Sequence, residues 1–331
     1  MEVNASKEDQ PARGLLSKMG NSFIRRPVFG VLIAFSAVFI VFSVIAPNFL
    51  TIASLTGILS LVAELGIITI GEAFLIISGE FDLSVGGVYA LAGAVFVVTA
   101  NQIHSIVGLL VALVVAAAIG VINWAVTVKM GLPSFIATLG MMLMTRGGLL
   151  VATGGHSIAY RADPVMPVIL SKIIDYGFRP SHMWFFLIVV LFSFLLFKTK
   201  YGNWVFATGG DKETARARGV NTSRVKLINF VLCSVLAAFA GCIAISRFTF
   251  ANVAFGTGYE LEAIAAAVIG GSFMFGGYGT IVGAALGAFI VSMIRIGLVL
   301  AGAPGYFYKF FVGAILIIAA YINNRIRKIW L

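Results

Sequence analysis

Charged side chains are scarce in this sequence. Asp, Glu, Lys and Arg together make up 11% of its 331 residues, whereas hydrophobic residues make up 60%. Soluble domains carry roughly 25% charged residues. A soluble chain with so few polar groups could not cover its own surface, so lipid must solvate much of it. The composition therefore predicts an integral membrane protein.

The sequence also lacks the motifs of common enzyme classes. It contains no Gly-x-x-x-x-Gly-Lys-Ser/Thr phosphate-binding loop and no Gly-x-Ser-x-Gly nucleophile motif. The three histidines, His104, His156 and His182, are not spaced as metal ligands. The two cysteines, Cys233 and Cys242, lie on opposite faces of one predicted helix and cannot bridge each other. We therefore expect no catalytic residue, cofactor or metal in this chain, which disfavours a membrane enzyme.

What the sequence does have is a series of apolar stretches with the length of transmembrane helices. They lie at 28–46, 52–77, 83–100, 106–128, 135–153, 182–197, 224–246, 260–273, 280–300 and 306–322. The second is longer than one straight span needs, so a break within it is one interpretation. The eighth is short and flanked by glycines. The expected fold is all-α, with about ten transmembrane helices.

No soluble domain interrupts these stretches. We expect an N-terminal tail over 1–27, a single transmembrane domain over 28–323 and a C-terminal tail over 324–331. Predicted helices 2–5 begin outside and helices 7–10 begin inside, which is the arrangement that an inverted repeat requires. An inverted repeat of these two groups is therefore part of the expected fold.

The distribution of Lys and Arg predicts the orientation. With both termini assigned to the cytoplasm, 16 of the 23 Lys and Arg residues fall inside, four fall outside and three lie within predicted spans. Cytoplasmic loops of membrane proteins carry such an excess. We therefore expect a multi-pass protein with both termini cytoplasmic. The net charge of +10 is then explained without a nucleic-acid partner.

One predicted cytoplasmic loop, 198–223, carries its own helix signals. Asp211 can cap a short helix, Glu213 suits its positive end, and Gly219 is a typical stop. A preceding Gly-Gly pair predicts a turn. The alternative is a solvated connector, which would not need a start and a stop so close together. The residues expected to form this surface are Gly209, Gly210, Asp211, Lys212, Glu213, Ala215, Arg216, Arg218 and Gly219.

Several polar residues lie at predicted membrane depth, where an unpaired acid is costly. Glu64 and Glu72 fall in the second span, and Arg146 in the fifth is a candidate counter-charge. Structural ion pairs, helix caps and interhelical bridges are the alternatives to a role in transport. The candidates for a translocation path are Glu64, Glu72, Asp82, Ser84, Asn123, Thr138, Glu260 and Glu262.

Three segments together resemble a known family. The loop around 209–219, the Glu80-Phe-Asp-Leu-Ser-Val-Gly86 stretch, and the segment from Tyr259 through Gly283 occur in one order. Each is similar to a signature of the bacterial ABC-importer permeases of the ribose and simple-sugar group. The sequence departs from that family at Glu262, where Asp is usual, and at Phe273-Met274-Phe275, where small polar residues are usual.

This resemblance implies a sugar importer's transport subunit in the bacterial inner membrane, without its own ATPase site. Its expected partners are a second copy of itself, cytoplasmic ATPase subunits, a periplasmic or surface sugar-binding protein, and membrane lipid. The 209–219 segment would contact the ATPase, and transport of a monosaccharide or similar polyol would proceed by alternating access. The alternatives are an ion-coupled secondary transporter and an ABC permease for branched-chain amino acids or nucleosides.

Overall fold

The structure is a computed structural model that describes residues 27–330, so the predicted N-terminal tail lies almost wholly outside the described residues. The described part is helical apart from one two-stranded ribbon. The helices are α1 (Pro27–Ile45), α2 (Ile52–Ile77), α3 (Val85–Gln102), α4 (Ser105–Trp124, continued by a π-helical turn over Ala125–Lys129), α5 (Ser134–Thr153), α6 (Val165–Leu170), α7 (Pro180–Lys198), α8 (Lys200–Gly210), α9 (Lys212–Ala217), α10 (Thr222–Phe248), α11 (Tyr259–Ile269), α12 (Ile281–Leu300) and α13 (Phe307–Trp330).

Helix α2 occupies the centre of the bundle. It packs against α7, α10, α11 and α12, and it is continuous from Ile52 to Ile77, so the interpretation of a break within this span was wrong. The hydroxyl of Thr51 accepts a hydrogen bond from Ser54 N at 3.3 Å and caps its start. Small residues let the neighbours approach closely: a Cβ added at Gly71 would lie 2.9 Å from Cys233 Cα.

Within the described residues, seven helices are long and apolar enough to cross a bilayer: α2, α3, α4 with its π-helical turn, α5, α7, α10 and α12. Helices α1 and α13 contribute shorter apolar segments, and α11 has 11 residues. The all-helical membrane architecture is therefore confirmed, whereas the count of ten stays a prediction. Helix α13 continues through most of the predicted C-terminal tail.

Different secondary-structure elements cover the two ends of the bundle. The Asp211 end carries α8, α9 and the start of α10. The Asp163 end carries a ribbon in which Ile158–Ala159 pairs with Phe250–Ala251. There the carboxylate of Asp163 accepts hydrogen bonds from the backbone N–H of Ser105, at 2.8 Å, and from its hydroxyl, at 2.5 Å. These bonds hold the start of α4 and lower the pKa of Asp163.

Candidate coupling surface and buried polar clusters

The short helix α9 has the start and the stop that the sequence predicts. The carboxylate of Asp211 accepts hydrogen bonds from the backbone N–H groups of Glu213 and Thr214, both at 3.0 Å. The bonds from Thr214 are the main reason why the pKa of Asp211 lies below its ordinary value. At the other end Gly219 has φ +84°, and Val220 N donates to Ala215 O at 3.0 Å. This left-handed stop closes the helix after less than two turns.

Helix α9 is fixed by one face and exposes the rest. Ala215 is buried, whereas the other residues from Asp211 to Gly219 are exposed. Arg216 donates from Nε to the Thr222 hydroxyl at 3.0 Å and pairs with Glu213 at 3.2 Å. An open cleft of about 380 Å³ lies beside it, lined by Arg216, Gly219, Val220, Asn221, Thr222 and Ser223. The helix therefore projects from the Asp211 end of the bundle, and hydrogen bonds and an ion pair within the chain stabilise its conformation.

Gly209 and Gly210 have a different structural role from the predicted turn. They form the last residues of α8 and pack against two other backbones. A Cβ at Gly209 would lie 1.8 Å from Ile77 O, and one at Gly277 would lie 2.9 Å from Gly210 Cα. Gly277 N also donates to Ile77 O at 2.9 Å. We call these four residues the backbone junction, and it joins α8 to the end of α2 and to the 270–280 segment.

An ion pair beside this junction links α10 to the segment after α2. Lys226, near the start of α10, contacts the carboxylate of Glu80, and both side chains are largely buried. The coupling between these two elements was not predicted, because Glu80 and Lys226 are far apart in the chain. The pair and the backbone junction connect the Asp211 end to the segment that carries Asp82.

The first buried polar cluster lies around Asp82. Its Oδ1 accepts hydrogen bonds from Ser84 N at 2.8 Å and from the Ser84 hydroxyl at 2.5 Å, and Asn123 Nδ2 approaches both carboxylate oxygens at 3.2–3.3 Å. The Thr138 hydroxyl accepts from Leu83 N at 2.9 Å. Four predicted path residues, Asp82, Ser84, Asn123 and Thr138, therefore come together just before the start of α3, where they bridge α4 and α5 to the segment that leads into α3.

Glu72 is buried at the level of this cluster, and its Oε1 accepts a weak hydrogen bond from the Cys233 thiol at 3.7 Å. Among the described ion pairs Arg146 pairs with Glu260, so its expected role as the counter-charge of Glu64 or Glu72 was wrong. The reason is geometric, since Arg146 projects from α5 toward the start of α11 instead of toward α2.

The second cluster, the arginine–glutamate cluster, surrounds the start of α11. It contains three predicted path residues, each opposite an arginine. The pairs are Glu64–Arg247 at 2.8 Å, Glu260–Arg146 at 4.0 Å and Glu262–Arg295 at 3.6 Å. Glu64 also accepts a hydrogen bond from the Tyr89 hydroxyl at 2.9 Å. Three acids and three arginines make the cluster neutral, which lowers the cost of burying them.

Arg247 is the partner of Glu64 that sequence reasoning missed. It was assigned to an outside loop because it follows the predicted span 224–246. In the structure α10 continues to Phe248, and the long Arg247 side chain reaches back into the bundle. Long cationic side chains at helix ends commonly extend in this way, and that tendency was the available signal.

The chain matches the family described as the branched-chain amino acid transport system permease component over residues 54–320. It is 34% identical over 304 residues to the ribose import permease protein RbsC of Escherichia coli K12, covering 89% of this chain and 92% of that protein. It is 30% identical over 297 residues to the autoinducer 2 import system permease protein LsrC of Photorhabdus luminescens, covering 89% of each. No solved structure gives a significant match.

The residues matched to the family, 54–320, include the α9 segment, both polar clusters, all of α3 to α12 and parts of α2 and α13. Relatives of this kind are transport subunits without an ATPase site of their own. The apolar helices and the family together make the chain a multi-pass membrane protein. The chain therefore belongs to the family of permease components of ABC importers.

Proposed function

We propose that this permease imports a monosaccharide or a similar neutral polyol by alternating access, driven by a separate ATPase subunit. The relatives named for ribose and for autoinducer 2 support the substrate class. Two copies would form the transport path and a sugar-binding protein would deliver the substrate to the Asp163 end. The Asp211 end and both termini would face the bacterial cytoplasm. The chain would cross the membrane about ten times, and the second to fifth predicted spans would form an inverted repeat with the seventh to tenth.

The observation that carries this proposal is the exposed helix α9. A partner can move a membrane protein only through a surface element that keeps its shape under load. Asp211 and Gly219 fix the two ends of α9, and Ala215 anchors it. We propose that Lys212, Glu213, Arg216 and Arg218 on this helix, with the adjoining cleft, form the docking surface for the ATPase.

The route from this surface into the bundle would be the backbone junction. Only Asp211 separates Gly210 from helix α9, and the Gly209–Gly210 backbone touches Ile77 and Gly277 with no side chain between them. Movement of α8 and α9 would therefore reach the end of α2 and the 270–280 segment. From there it would reach the Asp82 cluster through the residues that follow Ile77, and these polar residues would line part of the path.

The test uses two substitutions at Gly219. No atom of residues 27–330 lies within 4 Å of a Cβ placed there, so against this part of the chain a side chain meets only the strain of the positive φ. Gly219→Val should strain the stop, because a β-branched residue resists the left-handed conformation. Gly219→Asn is the matched control, since asparagine tolerates that conformation. Pull-down of the ATPase and uptake of radiolabelled D-ribose would be measured, normalised to permease abundance.

We expect Gly219→Val to lose ATPase association and uptake at normal membrane levels, with Gly219→Asn close to wild type. Reversing the exposed charge with Arg218→Glu should weaken association, whereas Lys200→Glu at the far end of α8 should not. Full association and uptake in Gly219→Val and Arg218→Glu would contradict the docking assignment. Uptake driven by an ion gradient without ATP would instead support a secondary transporter, and preferential uptake of leucine would support an amino-acid permease.

A further inference from the structure

The pair Arg146–Glu260 has the largest separation of the three pairs in the arginine–glutamate cluster, 4.0 Å against 3.6 Å for Glu262–Arg295 and 2.8 Å for Glu64–Arg247. Arg146 Nη2 and Glu260 Oε2 are 4.0 Å apart, which is too long for a hydrogen bond. Both atoms are buried, and neither makes a hydrogen bond to any described residue. The other ends are satisfied: Arg146 Nη1 donates to Val253 O and Thr257 Oγ1, and Glu260 Oε1 accepts from Gly258 N.

A guanidinium donor and a carboxylate acceptor that face each other at this distance suit a single hydroxyl group between them. An oxygen placed between the two atoms could lie about 2.8 Å from each, accepting from the guanidinium and donating to the carboxylate. A ligand carboxylate would be repelled by Glu260, and a ligand ammonium would be repelled by Arg146. A neutral group that both donates and accepts satisfies both side chains.

Gly86 makes the room in which this pair sits. A Cβ at Gly86 would lie 2.1 Å from Glu260 Oε2 and 3.1 Å from Arg146 Nη2. The glycine that ends the Asp-Leu-Ser-Val-Gly stretch is therefore needed for the Glu260 carboxylate to reach its position. By contrast, a Cβ at Gly258 would lie 3.7 Å from Glu262 Oε1, which is an ordinary van der Waals distance.

The pair also lies next to an open face of the single chain. Thr257 is exposed, as are Gly147 and Gly148 on α5, the helix that carries Arg146. Arg146 lies in the second half of a membrane-spanning helix, where a charge that faces hydrocarbon is costly. Its side chain is 18% exposed and that of Glu260 is 12% exposed, so the pair lies largely within the chain at the edge of this exposed face.

We infer that Arg146, Glu260 and Thr257 form a hydroxyl-binding site for the transported polyol, with Gly86 shaping it. This inference rests on the proposed function. Arg146 and Glu260 together hold one hydroxyl of the substrate, and the Thr257 hydroxyl orients Arg146. The alternative is that the pair only stabilises the fold, as Glu64–Arg247 does at 2.8 Å.

The double variant Arg146→Met/Glu260→Leu separates these two roles. Replacing a buried ion pair by apolar residues of similar size is often neutral for stability or stabilising, whereas removing one partner is not. The double variant should therefore accumulate, keep its thermal stability and bind the ATPase. Thr145→Val is the neighbouring control, because among the described residues the Thr145 hydroxyl donates only to carbonyls of its own helix, those of Met141 and Met142.

The readout is uptake into proteoliposomes that hold the complete importer with its own ATPase and binding protein. The probes are radiolabelled D-ribose and each of its monodeoxy analogues, with D-xylose and D-galactose in parallel. The ratio of parent to deoxy uptake is compared between wild type and variant, so discrimination by the binding protein cancels. For one hydroxyl position we expect this ratio to be about tenfold smaller in the double variant, and unchanged in Thr145→Val.

Unchanged ratios for every deoxy analogue, with normal uptake by the double variant, would overturn the site and leave the proposed function intact. Absence of uptake of every probe sugar by the wild-type importer would overturn the proposed function and the site with it. If the double variant does not accumulate, Glu260→Gln keeps the shape and removes the charge. The same loss of discrimination in that variant would support the site, and full discrimination would overturn it.

Discussion

Helices α2 and α5 look alike in sequence and differ most in their surroundings. Both qualify as membrane spans, with mean hydropathy of 2.0 and 1.6 in their most apolar windows. In α2, 94% of that window is buried inside the chain, whereas in α5 the share is 17%. Hydropathy therefore reports that a helix must avoid water, but not whether protein or lipid surrounds it.

The glycines of the two helices reflect this difference. On α2, a Cβ at Gly66 would lie 2.5 Å from the Phe185 ring, and one at Gly71 would lie 2.9 Å from Cys233 Cα. On α5, Gly140, Gly147 and Gly148 have no atom of the described residues within 4 Å of such a Cβ. Packing therefore accounts for Gly66 and Gly71 of α2, whereas nothing within residues 27–330 requires the three glycines of α5.

The largest expected effect comes from placing leucine on each helix. Gly71→Leu should prevent accumulation of folded permease, because the side chain would have to displace the backbone of α10. Overpacking of a core commonly costs about 1–3 kcal/mol or more, and contact with backbone leaves little room to relax. Gly147→Leu should leave the fold intact. Detergent-solubilised samples would be compared by size-exclusion profile and thermal aggregation. Equal stability of the two variants would contradict the contrast.

Removing Glu64 should give the next largest effect. Glu64→Leu leaves the partly buried Arg247 without its carboxylate, and loss of one partner from a buried pair costs about 3–5 kcal/mol. Glu64→Leu/Arg247→Met should recover much of the loss. Thermal midpoints of the single variant, the double variant and wild type provide the measurement. A single variant as stable as wild type would mean that water, not Arg247, satisfies Glu64.

The sequence predicted the helical membrane architecture, because long apolar stretches have few other structures available. It also predicted helix α9, since Asp211 and Gly219 act through the backbone within a few residues. It did not predict the partners of Glu64 or Arg146, which lie on helices far apart in the chain. Nor did it show that Glu64 and Asp82 belong to two different polar clusters, because packing between helices sets the membrane depth and the direction of each side chain.

The smallest change in stability is expected when one matched hydroxyl is removed from each helix, which tests whether α2 and α5 differ in their internal hydrogen bonds. Thr69 on α2 and Thr145 on α5 each donate a hydroxyl hydrogen bond to a carbonyl of their own helix, at 2.7 and 2.9 Å. Thr69→Val and Thr145→Val keep the shape and remove one such bond. Each should change the free energy of unfolding by about 1 kcal/mol or less. A much larger loss for Thr69→Val alone, measured by thermal shift, would reveal a polar role for α2.

The most direct test of the coupling account is photo-crosslinking from each end of the bundle. A photoreactive residue placed at Lys212 in α9, or at Asp175 near the Asp163 end, would be activated in membranes that contain the working importer. Both positions are exposed in the single chain. The account predicts an adduct with the ATPase from position 212 and none from position 175. An ATPase adduct from 175, or none from 212 while transport continues, would contradict it.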